Sequence, residues 1–292
     1  MPAKPLISVI IAVYNGSTHL EEQMDALLAQ RCDFVWEAIY VDNGSRDNSR
    51  ELIKRRIEAQ RLTHVRLVDG SQHPGQVYAR NFGASQAQAD LLAYTDQDDL
   101  PAPDWLVALN ATLQQADAVG GFVVRTPDGR PPAHNRNEIP ADTRFLLRFG
   151  GFDCAIGTNF AIHRRVLDAV GGWQDLAVHA GEDIDLCIRL HVAGYRLAYA
   201  PDARVTWRSR STIRDIFNQA VTYGRSSVQL YVRHRTNGIE LPTVRSSLRA
   251  WKHTLRALPG FISKPRSYRF VHLFGLKCGT ILEGLRGRTF EF

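Results

Sequence analysis

Residues 6–14, Leu-Ile-Ser-Val-Ile-Ile-Ala-Val-Tyr, are apolar and largely β-branched almost without interruption. A strand buried on both faces reads this way, and such strands belong to parallel sheets covered by helices. Two further runs, Trp36–Val41 and Val65–Val68, follow the first. The intervening stretches have helical spacing, with Met24, Leu27 and Leu28 in one and Leu52, Ile53 and Ile57 in the other. The order βαβαβ predicts a right-handed, doubly wound α/β sheet. Ser17 or Thr18 is expected to cap the first helix, with Glu21 and Glu22 in its first turn. The turn Asn15-Gly16-Ser17 lacks Gly-x-Gly-x-x-Gly, and no Gly-Lys-Ser/Thr occurs, so this is neither the dinucleotide nor the P-loop version.

The acidic stretch Thr95-Asp96-Gln97-Asp98-Asp99 directly follows the apolar run Leu91–Tyr94. Three carboxylates within four residues repel one another, and a divalent cation removes that penalty. Mg²⁺ and Mn²⁺ bind through one or two carboxylates plus substrate phosphates. Asp96 and Asp98, two apart, point the same way along extended chain. The stretch falls at a strand's C-terminal end, where open α/β sheets place their ligands. The plain alternative is a solvated acidic turn before Pro101-Ala102-Pro103. Asp42 ends the second strand, placed either for a nucleoside hydroxyl or for an ordinary Asx turn. Arg80 lies on a helix starting near Gly75, aimed at the sheet edge or else paired on the surface.

The remaining chain predicts a helix over 105–115, a strand over 118–124 and a long polar loop over 126–142. Gly157–Arg165 then leads into a short helix ending at Gly171-Gly172. A second acidic group, Gly181-Glu182-Asp183-Ile184-Asp185, opens another helix; acids there are also favoured by the helix dipole, which would leave Asp185 on the surface. Leu186, Ile188, Leu190 and Val192 pack inward in this reading. A last strand covers 195–199, and helices follow from Ser211 onward, including 248–258 and 268–285.

Composition sets limits. The 292 residues are 44% hydrophobic and 23% charged, which fits a soluble globular protein. No apolar run is long enough to span a membrane. Cys32, Cys154, Cys187 and Cys278 form no Cys-x-x-Cys pair, so neither zinc nor a disulfide framework is implied, and a reducing, cytoplasmic setting is expected. Charge is uneven. Residues 1–200 hold 19 Lys/Arg and 25 Asp/Glu, a net of −6, whereas 201–292 hold 17 and 5, a net of +12. A basic tail on an acidic body suits a polyanionic partner. Nucleic acid is disfavoured: no motif for it appears, and Phe217, Tyr231 and Trp251 sit at helical spacing as core residues would. The expected partner is the inner face of a membrane, met peripherally by helices that dock on the catalytic domain and turn Arg and Lys outward; a homo-oligomer interface on these helices is the second expectation.

The ordered set Val13-Tyr14-Asn15, Val41-Asp42-Asn43-Gly44-Ser45, Ala79-Arg80-Asn81-x-Gly83, Asp96-x-Asp98-Asp99 and Gly181-Glu182-Asp183-x-Asp185-Leu186 resembles the family 2 glycosyltransferases over about residues 6–207. The resemblance implies a GT-A (Rossmann-like) fold, a mostly parallel sheet flanked by helices, with a helical C-terminal extension. Residues 1–207 would be the catalytic domain, with 1–99 the nucleotide-sugar half and 100–207 the acceptor half; 208–292 would be the extension.

The same resemblance implies roles. Val13, Tyr14 and Asp42 would hold the uracil and ribose of a UDP-linked sugar, and Arg80 would sit beside the diphosphate. Asp96 would contact ribose or metal, and Asp98 would ligate Mn²⁺ or Mg²⁺. Asn159 would shape the sugar and acceptor pocket. Asp183 would be the general base, with Glu182 beside it. The acceptor would be a hydroxyl of a glycan, a lipid-linked molecule or a small molecule, and the outcome inversion. This sequence departs from the pattern at Trp207, near where many members place a metal-binding His, and at Asn43, where an acid is common. The alternatives are a non-catalytic nucleotide-sugar-binding protein, against which the intact acids speak, and a nucleotidyltransferase, which would want a Gly- and Arg-rich loop after the first strand.

Overall fold

The computed structural model describes residues 4–126, 147–208, 210, 212–240, 244–257 and 264–287. Most of the expected loop over 126–142 lies outside them. The elements run β1 (Ile7–Val13), α1 (Leu20–Leu28), β2 (Trp36–Asp42), α2 (Ser49–Gln60), β3 (Val65–Asp69), α3 (Gln76–Gln86), β4 (Leu91–Tyr94), β5 (Leu100–Pro101), α4 (Trp105–Leu113), β6 (Ala118–Thr126), β7 (Leu147–Phe149), β8 (Phe152–Cys154), β9 (Phe160–His163), α5 (Arg164–Ala169), α6 (Glu182–Val192), β10 (Leu197–Arg208), α7 (Ile213–His234), α8 (Val244–Ala257) and α9 (Lys264–Gly287). No described helix is long and apolar enough to cross a membrane.

Eight strands form one sheet in the order β3-β2-β1-β4-β9-β6-β10-β5. The pairs β1–β2, β1–β4, β2–β3 and β6–β10 are parallel; β4–β9, β6–β9 and β5–β10 are antiparallel. The unbroken apolar run behaves as its composition requires: Ile7, Val9, Ile10, Ile11 and Val13 are all buried. Their neighbours in the core include Tyr40, Ala93, Leu106, Leu109 and Val119.

Three local expectations need correction. Helix α1 begins at Leu20 with His19 at its cap position and no side-chain cap bond. The Ser17 N–H is instead accepted by Asp47. Strand β9 was not foreseen, because four residues between a turn and a helix carry almost no periodicity. It inserts antiparallel between β4 and β6. The last strand is not 195–199 but twelve residues long, with a register shift between Ala200 and Arg204 around Pro201, which has no N–H to give the ladder.

The chain divides into two compact units. One comprises Met1–Arg148, Asp153–Gln174 and Leu186–Ser209; the other comprises Phe149–Phe152, Asp175–Asp185 and Arg210–Phe292. In the second unit α7 and α9 pack backbone to backbone. A Cβ at Gly224 would collide with the Leu276 carbonyl, and one at Gly279 with the Val221 carbonyl. Only glycine permits this approach. Phe217 stacks on Phe274 at one end of the contact, and Arg225 pairs with Glu283 at 2.7 Å at the other.

Candidate functional site

Parallel register aligns the strand ends that carry the motifs. Val13 pairs with Asp42, and Asp42 with Asp69, so β1, β2 and β3 finish level. The Asn43 N–H donates to the Val13 carbonyl at 2.8 Å, and the Gly70 N–H to the Asp42 carbonyl at 2.9 Å. Tyr14 projects beyond this edge and is 54% exposed. Asp42 is buried: Oδ1 accepts from the Ser45 N–H at 3.1 Å and Oδ2 from Arg50 Nε at 2.9 Å. Asp42 thus closes an Asx-type turn at the strand tip. Arg50 bridges onward to Asp69 at 2.9 Å. Hydrogen bonds from Ser71 and Arg50 hold the Asp69 carboxyl down at about 2.

The acidic stretch is tied to this edge by a residue the sequence reading passed over. Gln97 accepts from the Tyr14 N–H at 2.9 Å and donates to the Tyr14 carbonyl at 3.1 Å. The side chain of Gln97 lies against Gly16, where a Cβ would have no room. Asp96 Oδ1 accepts from Arg80 Nη2 at 3.0 Å and from Gln76 Nε2 at 2.9 Å. Arg80 is buried at the sheet edge, not on the surface, and its guanidinium carbon lies 4.6 Å from the centre of the Trp173 ring. Trp173 is fixed reciprocally by Asn81, which donates to its carbonyl at 2.9 Å and accepts from its N–H at 3.0 Å. A single Trp after a Gly-Gly turn gave no sequence signal for this role.

Asp98 is half-buried, and its carbonyl accepts from Arg208 Nε at 3.0 Å. Asp99 is fully buried; Oδ2 accepts from the Thr158 hydroxyl, and Oδ1 has no hydrogen-bond partner. Burial, followed by repulsion from Asp96 and Asp98, pushes its carboxyl well above the ordinary range, while Arg208 opposes the shift. Arg208 also pairs with Glu22. The residue after Trp207 thus supplies a cation at the acidic edge.

Asn159, expected at the sugar and acceptor pocket, has its amide fully engaged within the core. It is wholly buried; Oδ1 accepts from Trp105 Nε1 at 2.8 Å, and Nδ2 donates to the carbonyls of Phe122 at 3.0 Å and Ala203 at 2.8 Å. Its amide ties α4, β6 and β10 together behind the sheet edge. The reason is topological: the unforeseen β9 carries it into the core.

Glu182 and Asp183 lie in the second compact unit, on the first turn of α6. Gly181, with φ of +88°, turns the chain into this helix in a conformation that L side chains rarely adopt. Asp183 Oδ1 accepts from the Ile184 N–H at 2.8 Å. Asp185, which the plain helix-cap alternative would leave on the surface, is completely buried. Its Oδ1 accepts from Arg233 Nη1 at 3.0 Å and from His234 Nε2 at 2.9 Å. Val192, by contrast, is 52% exposed and not packed inward. Among the described residues no group of three or more His, Cys, Asp or Glu is arranged to hold a metal.

Residues 8–171 match the profile of glycosyl transferase family 2. The chain belongs to that family. Residues 92–275 also match the glycosyl transferase family group 2 profile. This glycosyltransferase is 26% identical over 267 residues to glycosyltransferase AglE of Haloferax volcanii, covering 90% of this chain and 84% of that one. It is 27% identical over 260 residues to the pre-mycofactocin glycosyltransferase of Mycobacterium tuberculosis, covering 86% of this chain and 53% of that longer protein. Its fold is similar to that of the mannosyltransferase PcManGT from Pyrobaculum calidifontis, solved with GDP-Man and Mn²⁺ (TM-score 0.64, 17% identity, 97% of this chain and 88% of that one). It is also similar to S. aureus TarS 1-349 with UDP-GlcNAc (TM-score 0.55, 16% identity, 98% and 93%). The glycosyltransferase has the GT-A fold expected of it.

Proposed function

We propose that this glycosyltransferase moves a sugar from a UDP-linked donor to an acceptor hydroxyl with inversion, on a glycan, lipid-linked or small-molecule acceptor. The observation that carries the donor site is the convergence at one sheet edge of Tyr14, Asp42, Arg80, Asp96 and Asp98, joined through Gln97 and through the Arg80–Asp96 pair. Val13 and Tyr14 present backbone and ring to the base, Asp42 meets the nucleoside, and Arg80 faces the diphosphate. Trp173 and Asp96 hold the Arg80 guanidinium in one orientation, so little side-chain freedom is lost on binding.

The donor set fits Mn²⁺ or Mg²⁺. Carboxylate oxygens suit these hard cations, and two carboxylates with substrate phosphates suffice. Asp98 would be the main protein ligand and Asp96 a second. The crowding of Asp96, Asp98 and Asp99 is what a cation would relieve. When bound, the cation would stabilise the negative charge that builds on the departing diphosphate.

Asp183 would accept the acceptor's hydroxyl proton as the new oxygen–carbon bond forms and the bond from the anomeric carbon to the diphosphate breaks. One base on the face opposite the leaving group gives single displacement, and no nucleophilic carboxylate is needed. Glu182 would stand beside it, toward the acceptor. Asp183→Asn tests this. It retains a polar side chain, and turnover should fall about 10²–10⁴-fold with donor affinity unchanged. Wild-type turnover in Asp183→Asn, or complete loss in Glu182→Gln alone, would reassign the base. The nucleotide is tested separately by thermal shift with UDP-, GDP- and dTDP-sugars, with and without Mn²⁺.

A further inference from the structure

Helix α8 is amphipathic the wrong way round for a helix that only packs on its own protein. Successive residues turn by about 100°. Thr254, Ala250 and Ser247 fall on one side; Thr254 is buried, the other two half-buried. About a third of a turn round from that side the helix carries Leu248 at 65% exposure and Leu255 at 60%, seven residues apart and therefore on one line. The half-buried Trp251 adjoins that line. Next to the leucines runs a cationic stripe of exposed Arg245, Arg249, Lys252 and Arg256. No acidic residue occurs between 244 and 257. Helix α9 repeats the theme near its end, where Ile281, Leu282 and Leu285 are 48–53% exposed beside exposed Arg286. The sequence alone predicts the outward Arg and Lys. It does not predict that the large apolar side chains point outward with them.

We infer that the exposed face of α8 is a docking surface for an anionic lipid membrane, with the helix lying in the plane of the interface. A row of Leu and Trp edged by Lys and Arg is the pattern of an interfacial helix, whose apolar side chains enter the acyl boundary while cations meet headgroups. A second copy of the chain is the poorer occupant. A two-fold contact would lay the cationic stripe against itself, and like charges so juxtaposed are repelled. Nucleic acid would use the cations but leave Leu248 and Leu255 without a partner. The inference is independent of the assignment of donor, metal and base.

The test is co-sedimentation of the full chain with vesicles of phosphatidylcholine alone and with added phosphatidylglycerol, at low and high salt. Each basic residue near an anionic surface contributes a factor of about five to partitioning. Arg249→Gln with Lys252→Gln should therefore weaken binding to anionic vesicles about 25-fold. Leu248→Ser with Leu255→Ser should weaken it about tenfold or more, since the leucines enter the apolar layer. Both pairs are exposed, so unchanged melting temperatures are expected and show that the fold is kept. Equal recovery on neutral and anionic vesicles overturns the inference. So does wild-type binding by the leucine variant, which would leave polyanion attraction alone. A dimer dissolved by the leucine substitutions, without vesicle binding, overturns it in favour of self-association.

Discussion

Asp185→Ala is expected to be among the more damaging single substitutions in this protein. The carboxylate is completely buried and receives two hydrogen bonds on one oxygen, from Arg233 and His234. Asn237 Nδ2 lies 2.9 Å from His234 Nδ1. The carboxylate can only accept, so His234 Nε2 carries a proton directed at Asp185. Removing one partner of a buried ion pair costs about 3–5 kcal/mol. Arg233 is about one-third exposed and can turn to water, so its share is discounted. His234 is 2% exposed, and a buried donor left without an acceptor costs about 1–3 kcal/mol. The expected loss is therefore about 2–4 kcal/mol for Asp185→Ala. Asp185→Asn keeps an acceptor and should lose about half as much. Urea unfolding followed by circular dichroism measures both, and a cycle with His234→Gln isolates the coupling. A loss below about 0.5 kcal/mol for Asp185→Ala, the size of an ordinary surface change, would refute the reasoning.

Gly279→Val should force α7 and α9 apart and destabilise the protein by about 3 kcal/mol, because the added atoms meet the Val221 carbonyl rather than a movable side chain; a variant melting with the wild type would contradict this. Asp47 gives a pH dependence. Burial raises its carboxyl pKa, but hydrogen bonds from Ser49 and Ser17 outweigh that and hold it at about 2. Its contribution is thus complete above the unfolded value of about 3.9 and is lost as pH falls through about 2. Asp47→Asn should lower stability at neutral pH and flatten its decline over that acid range, whereas parallel urea midpoints from neutral to acid pH would count against it.

Much of the fold was legible because burial on both faces leaves a plain mark. The runs at β1 and β2 are short, mostly apolar and buried along nearly their whole length, and the turn residues that bound them mark them as strands. Strand β9 left no such mark. Its four residues gain their place only from pairing with β4 and β6, 66 positions away at the Tyr94–Phe160 pair and 44 at the Ala118–Ile162 pair. The carboxylates proposed for the donor site stood out in the sequence because charge at a strand end is costly and so informative. Their partners did not. Gln97, Trp173 and Arg208 are ordinary surface or core types until the fold closes, and nothing local to Trp173 announces that Arg80 will lie over its ring. The burial of Asp185 left no mark for a related reason: at a helix start an acid is favoured by the dipole alone, so its place among α7 residues could not be inferred from position.

The acidic edge raises the question of what balances three neighbouring carboxylates before any nucleotide arrives. Two arginines contribute to this. Arg80, with a side chain 4% exposed, pairs with Asp96; Arg208, 12% exposed, bonds the Asp98 carbonyl and opposes the upward shift of Asp99. Because Asp96 already accepts from Arg80 and Gln76, a cation arriving alone must displace part of that shell, whereas one arriving with a diphosphate brings its own oxygens. Arg208→Gln separates the two contributions. It removes a cation beside a buried carboxyl and should cost about 1–3 kcal/mol, lowering the melting temperature by several degrees in chelator. Mn²⁺ with UDP should then restore more of that loss than it adds to the wild type, because the positive charge it supplies replaces one that is missing. Differential scanning fluorimetry of both proteins, with chelator, with Mn²⁺ alone and with Mn²⁺ plus UDP, gives the comparison. An Arg208→Gln protein that melts with the wild type in chelator would show that Arg208 does not balance this edge, and equal gains from Mn²⁺ with UDP in both proteins would show that the cation and the arginine act on different charges.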